Sequence, residues 1–121
     1  MTVELDYSEI DPGIRETVRW LRSHGFETTD SGDGISKFDG PNFMGCALEY
    51  PHVFMVLRNL ETAFHEADRL HSILEKMGAF VQSAMPTYVQ ASYSPVDRLV
   101  ILELGYFSDW LLARLLARAG F

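Results

Sequence analysis

The stretch "TYVQASYSPVDRLVILEL", residues 87–104, constrains this chain more than any other. Two β-prone runs are separated only by Ser94-Pro95-Val96-Asp97. A link that short joins antiparallel neighbours, so the spacing predicts a β-hairpin. In the second run, read as a strand beginning at Arg98, Arg98, Val100, Leu102 and Leu104 share one face. Leu99, Ile101 and Glu103 share the other, because successive side chains alternate. Earlier, "HVFMVLR" is apolar over residues 53–57 without alternation. That suits a central strand buried on both faces, or one closely covered by helices. "CALEY" reads as strand before it, interrupted or bulged at Pro51. "FETT" reads as a brief strand and "TVELDY" as a short edge strand.

Three segments carry helical spacing. In "DPGIRETVRWLRSHG", Asp11 is an N-cap residue, Pro12 suits the first helical position, and Gly25 suits a left-handed stop. Ile14, Val18 and Leu21 form its apolar side. In "NLETAFHEADRLHSILEKMG", Asn59 caps and Gly78 stops. Leu60, Ala63, Phe64, Ala67, Leu70, Leu74 and Met77 lie on one arc, and His71 falls within it. The segment "SDWLLARLLARAG" starts at a Ser108 cap and has a stripe of Leu111, Leu112, Leu115, Leu116 and Ala119. Helices and hairpin together predict an α+β fold in one domain, residues 1–121. It has a mainly antiparallel sheet of four to five strands with three helices, in two layers.

Hydrophobic residues make up 47% and charged residues 22% of the 121, a composition suited to a packed core rather than disorder. Cys46 is the lone cysteine, so no intrachain disulfide forms and a cytoplasmic setting is expected. The start carries acids rather than a signal-like apolar segment, and no run is long enough to span a bilayer. The net charge of −7 argues against binding along a nucleic-acid backbone, which needs a basic face. It leaves open a small anionic ligand held by a few arginines, or docking of the acidic surface on a basic partner protein.

"GFETTDSGDGISKFDG", residues 25–40, departs most from scaffold chemistry. Successive glycines let backbone N–H groups converge on an anion, with the Ser31 hydroxyl beside them. Asp30 and Asp33 suit ribose hydroxyls or base amines. The other reading is a solvated loop whose aspartates form Asx turns. No Lys-Ser/Thr follows the glycines, no helix begins at Gly34, and the calcium-loop positions are wrong, with Pro41 in place of the final acid. Metal binding is not expected, since the four histidines are scattered and His65 and His71 lie six apart. No cofactor, nucleophile or acid–base pair is evident, and Cys46 reads as an inert thiol. Arg98, Arg114 and Arg118 are candidates for a phosphate, with surface salt-bridging as the plainer alternative. Tyr106 and Trp110 are candidates to stack on a base, with packing as the plainer alternative.

At "DPGIRETVRWLRSHGFETTDSGDG", residues 11–34, the chain resembles small proteins encoded by bacteriophages and prophages. There a capped helix runs into Gly, an aromatic or aliphatic residue, any residue, then Thr-x-Asp-Ser-Gly. In size and element content it is similar to the anti-Thoeris sponge proteins of phages. That resemblance implies a homo-oligomer that sequesters a cyclic nucleotide or cyclic ADP-ribose-type signal without catalysis. The expected ligand contacts are Asp30, Ser31, Gly32, Asp33, Gly34, Arg98, Tyr106, Trp110, Arg114 and Arg118. Inhibition of a host protein by direct docking is the alternative.

Overall fold

The fold was obtained as a computed structural model, in which residues 7–34, 50–57, 59–79 and 87–120 are described. The expected strands at "TVELDY" and "CALEY" fall outside that set except for Tyr7 and Tyr50, as does Cys46. The described chain is α+β. Helices α1 (Arg15–Ser23), α2 (Leu60–Met77) and α3 (Asp109–Arg118) accompany strands β1 (Asp30–Gly32), β2 (His52–Leu57), β3 (Tyr88–Ser94) and β4 (Leu99–Gly105). The sheet order is β1-β2-β4-β3 and every pairing is antiparallel.

The apolar run at 53–57 becomes a central strand, as its lack of alternation implies. On one face of β2, Val53 and Met55 lie opposite Leu104 and Leu102 of β4. These four join Val18 and Leu21 of α1, Leu70 and Leu74 of α2, and Leu112 and Leu115 of α3 in one core. Burial of each such side chain contributes roughly 1.5–3 kcal/mol. On the other face of β2, His52 is 0% and Phe54 5% exposed. Both faces of this strand are therefore removed from water over His52–Met55, while Val56 and Leu57 are half-buried.

Helix starts differ from the sequence reading at one end. Asp11 makes no side-chain cap; Pro12–Ile14 form a 3-10 turn and α1 begins at Arg15. The Asp11 carboxylate instead accepts the Asp33 amide at 3.2 Å. The α1 amides are capped from across the fold. Asp109 accepts from Glu16 N at 3.1 Å, Thr17 N at 2.7 Å and the Thr17 hydroxyl at 3.0 Å. One carboxylate thereby meets the positive end of α1 while occupying the first turn of α3. The other caps form as expected. Asn59 Oδ1 accepts from Glu61 N at 2.9 Å, Gly78 takes φ 84°, and Ser108 Oγ accepts from Leu111 N at 3.3 Å.

The buried seam of α2 is Ala63, Leu70, Leu74 and Met77, with Ala67 half-buried. Phe64 is 60% exposed, and His71 is exposed beside Glu75. Both sit one helical step off the seam, at the rim of an arc that is wider in the sequence than in the packing. Ala119, too, lies outside the buried stripe of α3. "FETT" forms no strand; the pairing begins one residue later, at Asp30. Arg98 belongs to the hairpin turn rather than to β4, at φ 52° and exposed.

Asp109→Ala should therefore destabilise the fold by about 1–2 kcal/mol, the usual cost of a lost N-cap. Urea unfolding monitored by circular dichroism measures this. Glu27→Ala, at an exposed acid, should stay within about 0.5 kcal/mol of the parent.

Candidate functional site

The ten expected ligand residues do not converge on one site. Asp30–Gly32 form the edge strand β1, and the Asp33 side chain is buried. The Asp33 carboxylate accepts the Gly13 amide at 3.1 Å, while Ser31 N donates to Asp30 Oδ1 at 2.9 Å. With Asp33 N bonded to Asp11, two amides of the expected anion cradle already have partners inside the chain. Gly34 follows at φ 77°. Arg98 and Tyr106 flank opposite ends of β4, roughly 25 Å apart at ~3.3 Å per residue. The Arg118 guanidinium passes beside Gly78 at the end of α2. Trp110 and Arg114 do meet: the guanidinium carbon lies 4.6 Å from the indole centroid.

Of that pair, Trp110 lines a groove of about 720 Å³ between α1 and α3, and Arg114 reaches it only through the indole face. Trp20 and Arg19 line it from α1; Trp110, Ala113 and Leu116 line it from α3. Trp110 is 67% exposed. Trp20 is half-buried, its ring 6.2 Å from the buried Phe107. Arg19 pairs with Glu16 and lies over the Tyr7 ring. Arg114 has no hydrogen bond or ion pair among the described residues; its guanidinium lies over the indole face. Asp109 closes one end of the groove with its carboxylate engaged on α1.

The second cluster lies on the sheet face opposite the core. One row across the sheet reads Gly32, His52, Gly105, Tyr88. Each ring covers its neighbouring glycine. A Cβ on Gly32 would stand 2.5 Å from His52 Cε1, and one on Gly105 would stand 2.3 Å from Tyr88 Cε1. The next row holds Phe54 and Glu103. Tyr88 OH donates to Glu103 Oε2 at 2.7 Å, and Tyr50 OH donates to Oε1 at 3.0 Å. The phenol oxygens lie 2.9 Å apart. Two phenolic protons are thus both directed to one carboxylate. Tyr106 stacks on Tyr50 at 4.7 Å and meets Tyr88 edge-on at 5.7 Å. Its backbone sits at φ 61°, a strained region for a bulky residue, held by its amide on Pro51 O at 2.6 Å.

His52 Nδ1 lies 2.8 Å from the Tyr50 carbonyl. A carbonyl only accepts, so this bond puts the ring proton on Nδ1 and leaves Nε2 as an acceptor. Nε2 is buried and has no partner among the described residues. Burial pushes both Tyr50 and Tyr88 above the ordinary phenol value of 10.0, Tyr88 far more. For Tyr88 the bonds to Tyr50 and Glu103 add to that rise. For Tyr50 the contact with Tyr88 opposes it and Glu103 reinforces it. At neutral pH the two phenols are donors, not nucleophiles or bases.

Among the described residues no group of three or more His, Cys, Asp or Glu is placed to hold a metal, and no helix is long and apolar enough to cross a membrane. Sequence reasoning missed Trp20 as a groove wall and missed His52, Tyr50 and Glu103 as a cluster. The signal for the first was the i, i+4 pair Arg19–Ser23 flanking Trp20 on the polar side of α1. For the second it was only Gly105 breaking an otherwise bulky strand. Comparisons with family models, curated proteins and solved structures found no match to this chain.

The tyrosine pair makes stability sensitive to alkali. Below about pH 10 folded and unfolded chains both keep these protons, and the pair adds no slope. Above it the unfolded chain ionises first, so stability falls as pH rises. Tyr88→Phe should flatten that fall, read as urea midpoints at about pH 9 and about pH 11. Gly105→Ala should cost about 1–3 kcal/mol by displacing the Tyr88 ring. In the same titration its alkaline slope should match that of Tyr88→Phe.

Proposed function

We propose that this chain binds a nucleotide-like small molecule, of the cyclic-nucleotide or cyclic ADP-ribose type, in the α1–α3 groove and sequesters it without chemistry. The observation that carries the reading is the exposed Trp110 indole with the Arg114 guanidinium on its face. Stacking orients the guanidinium and leaves its in-plane N–H donors open for a phosphate. The rest of the indole offers a surface for a base. The groove volume of about 720 Å³ is within the range of small-molecule sites. Phosphate recognition is assigned to Arg114 rather than to the amides of Ser31–Gly34, two of which are engaged within the chain. The similarity of the whole chain in size and element content to the anti-Thoeris sponge proteins of phages points toward the same ligand class.

Calorimetry with cyclic AMP, cyclic ADP-ribose and ATP tests the proposal, with chromatography of the recovered ligand. Binding of at least one, recovered unchanged, is expected. Trp110→Ala should weaken it by about 1–3 kcal/mol, or roughly tenfold to a hundredfold. Arg114→Ala should weaken it and reduce its salt dependence. Absence of heat from all three ligands, or equal affinity in Trp110→Ala, defeats the proposal.

The net charge of −7 favours a second reading, docking on a basic host protein. That complex would weaken steeply with salt and would be indifferent to Trp110→Ala.

A further inference from the structure

The two edges of the sheet are defended very differently. At one edge β1 is only three residues long, carries Asp30, and runs at once into Asp33, which is bound to the 3-10 turn. Short length, charge and a covered end are the usual ways a sheet edge avoids pairing with another chain. At the other edge β3 is seven residues long and, among the described residues, pairs only with β4. Its sequence YVQASYS contains no charge and no proline. Its register with β4 runs one-to-one from Tyr88↔Gly105 to Ser94↔Leu99 without a bulge. Gln90, Ala91, Ser92 and Tyr93 are all exposed. Among the described residues none of the common protections is present, on a chain whose net charge is −7.

We propose that the free edge of β3 pairs antiparallel with β3 of a second copy of this chain, about a two-fold axis at Ala91. The occupant follows from self-complementarity. With Ala91 on the axis, Val89 falls opposite the partner's Tyr93, Gln90 opposite the partner's Ser92, and Tyr88 opposite the partner's Ser94. Val89, Ala91 and Tyr93 share one face of the strand, so an aromatic ring meets a β-branched side chain on either side of the axis, a favourable cross-strand pair. Tyr93, 51% exposed in the single chain, gains a partner by this pairing. The Gln90–Ser92 pairs match donors to acceptors on the other face. No like charges are opposed. A chain of net charge −7 repels its copy over most of its surface, and this uncharged edge is where two copies approach at least cost. The interface is isologous and closes as a dimer with a continuous eight-stranded sheet, twice the four strands of one chain.

Pairing along one strand buries less than a standard interface of ~1,600 Å², so the dimer is expected in the micromolar range. Sedimentation of the purified chain across micromolar concentrations should show monomer passing to dimer. Added salt should strengthen the dimer, since it screens two acidic chains. Ala91→Lys places two like charges across the axis and should give a monomer with an unchanged melting temperature. Trp110→Ala, in the helix groove, should leave the dimer intact. Ala91→Cys provides an arm that does not depend on how the lysine variant folds. Paired Cα atoms about 4.5–5.5 Å apart are within disulfide reach. Mild oxidation should therefore cross-link this variant well above wild type, whose Cys46 sets the background, and above Val96→Cys in the hairpin turn. A monomer at every concentration overturns the proposal. So does a dimer that survives Ala91→Lys, or one lost in Trp110→Ala. Cross-linking of Ala91→Cys no greater than that of Val96→Cys overturns it as well. Ligand binding by Ala91→Lys is a separate measurement, so failure here leaves the groove proposal standing.

Discussion

The pairing of β2 with β4 is the constraint from which the rest of the molecule follows. Both strands contribute large apolar side chains to the core face, and β2 is closed off from water on its other face as well. A strand buried twice must satisfy its backbone within the sheet, which β4 does along all of β2 and β1 does at His52, Val53 and Phe54. Side chains of its core face join those of the three helices in one apolar core. Its second face has to be filled by side chains from within the sheet, and here rings lie across glycines. His52 over Gly32 and Tyr88 over Gly105 remove the glycine backbone from water and hold the rings flat. Only a residue without a Cβ permits so close an approach.

The helices are tied to one another by charge as well as packing. Asp109 stands in the first turn of α3 and closes the N-terminus of α1, so the two positive helix ends share one carboxylate. This contact sets the spacing of α1 and α3 and therefore the width of the groove between them. Trp20 is anchored by Phe107 beneath it, whereas Trp110 stands in solvent with a guanidinium on its face. One wall is thus packed into the fold and the other is open to solvent.

The tyrosine–glutamate cluster shows how a polar group is tolerated on a partly buried sheet face. Glu103 sits among aromatic rings, and two phenols converge on it. The carboxylate gains two donors, and burial holds those donors protonated. Tyr106 accepts backbone strain to complete the stack, and its amide bond to Pro51 O ties the end of β4 to the entry of β2.

Much of the architecture is legible along the chain, because it depends on spacing within a few residues. The short link read at 94–97, which the fold places at 95–98, makes β3 and β4 neighbours, the run at 53–57 marks an interior strand, and Asn59, Gly78 and Ser108 mark helix ends. What required the tertiary structure was every contact between distant residues. Nothing near Asp11 in the chain says that its carboxylate faces Asp33, or that Asp109, more than ninety residues from Glu16, caps α1. Phe64 and His71 have the periodicity of core residues, and only the path of the sheet decides which stripe of α2 is covered. The glycine–aspartate stretch has loop composition, yet an adjacent strand with open hydrogen-bonding groups recruits Asp30–Gly32 as its edge. Of the expected ligand residues, Trp110 and Arg114 come together because four residues is one helical turn, a local fact. The others separate because strand length and sheet order carry them apart. Local pattern thus determined which elements form and where they end; long-range packing alone decided which faces they bury and which side chains meet, since that choice minimises exposed surface over the whole chain at once.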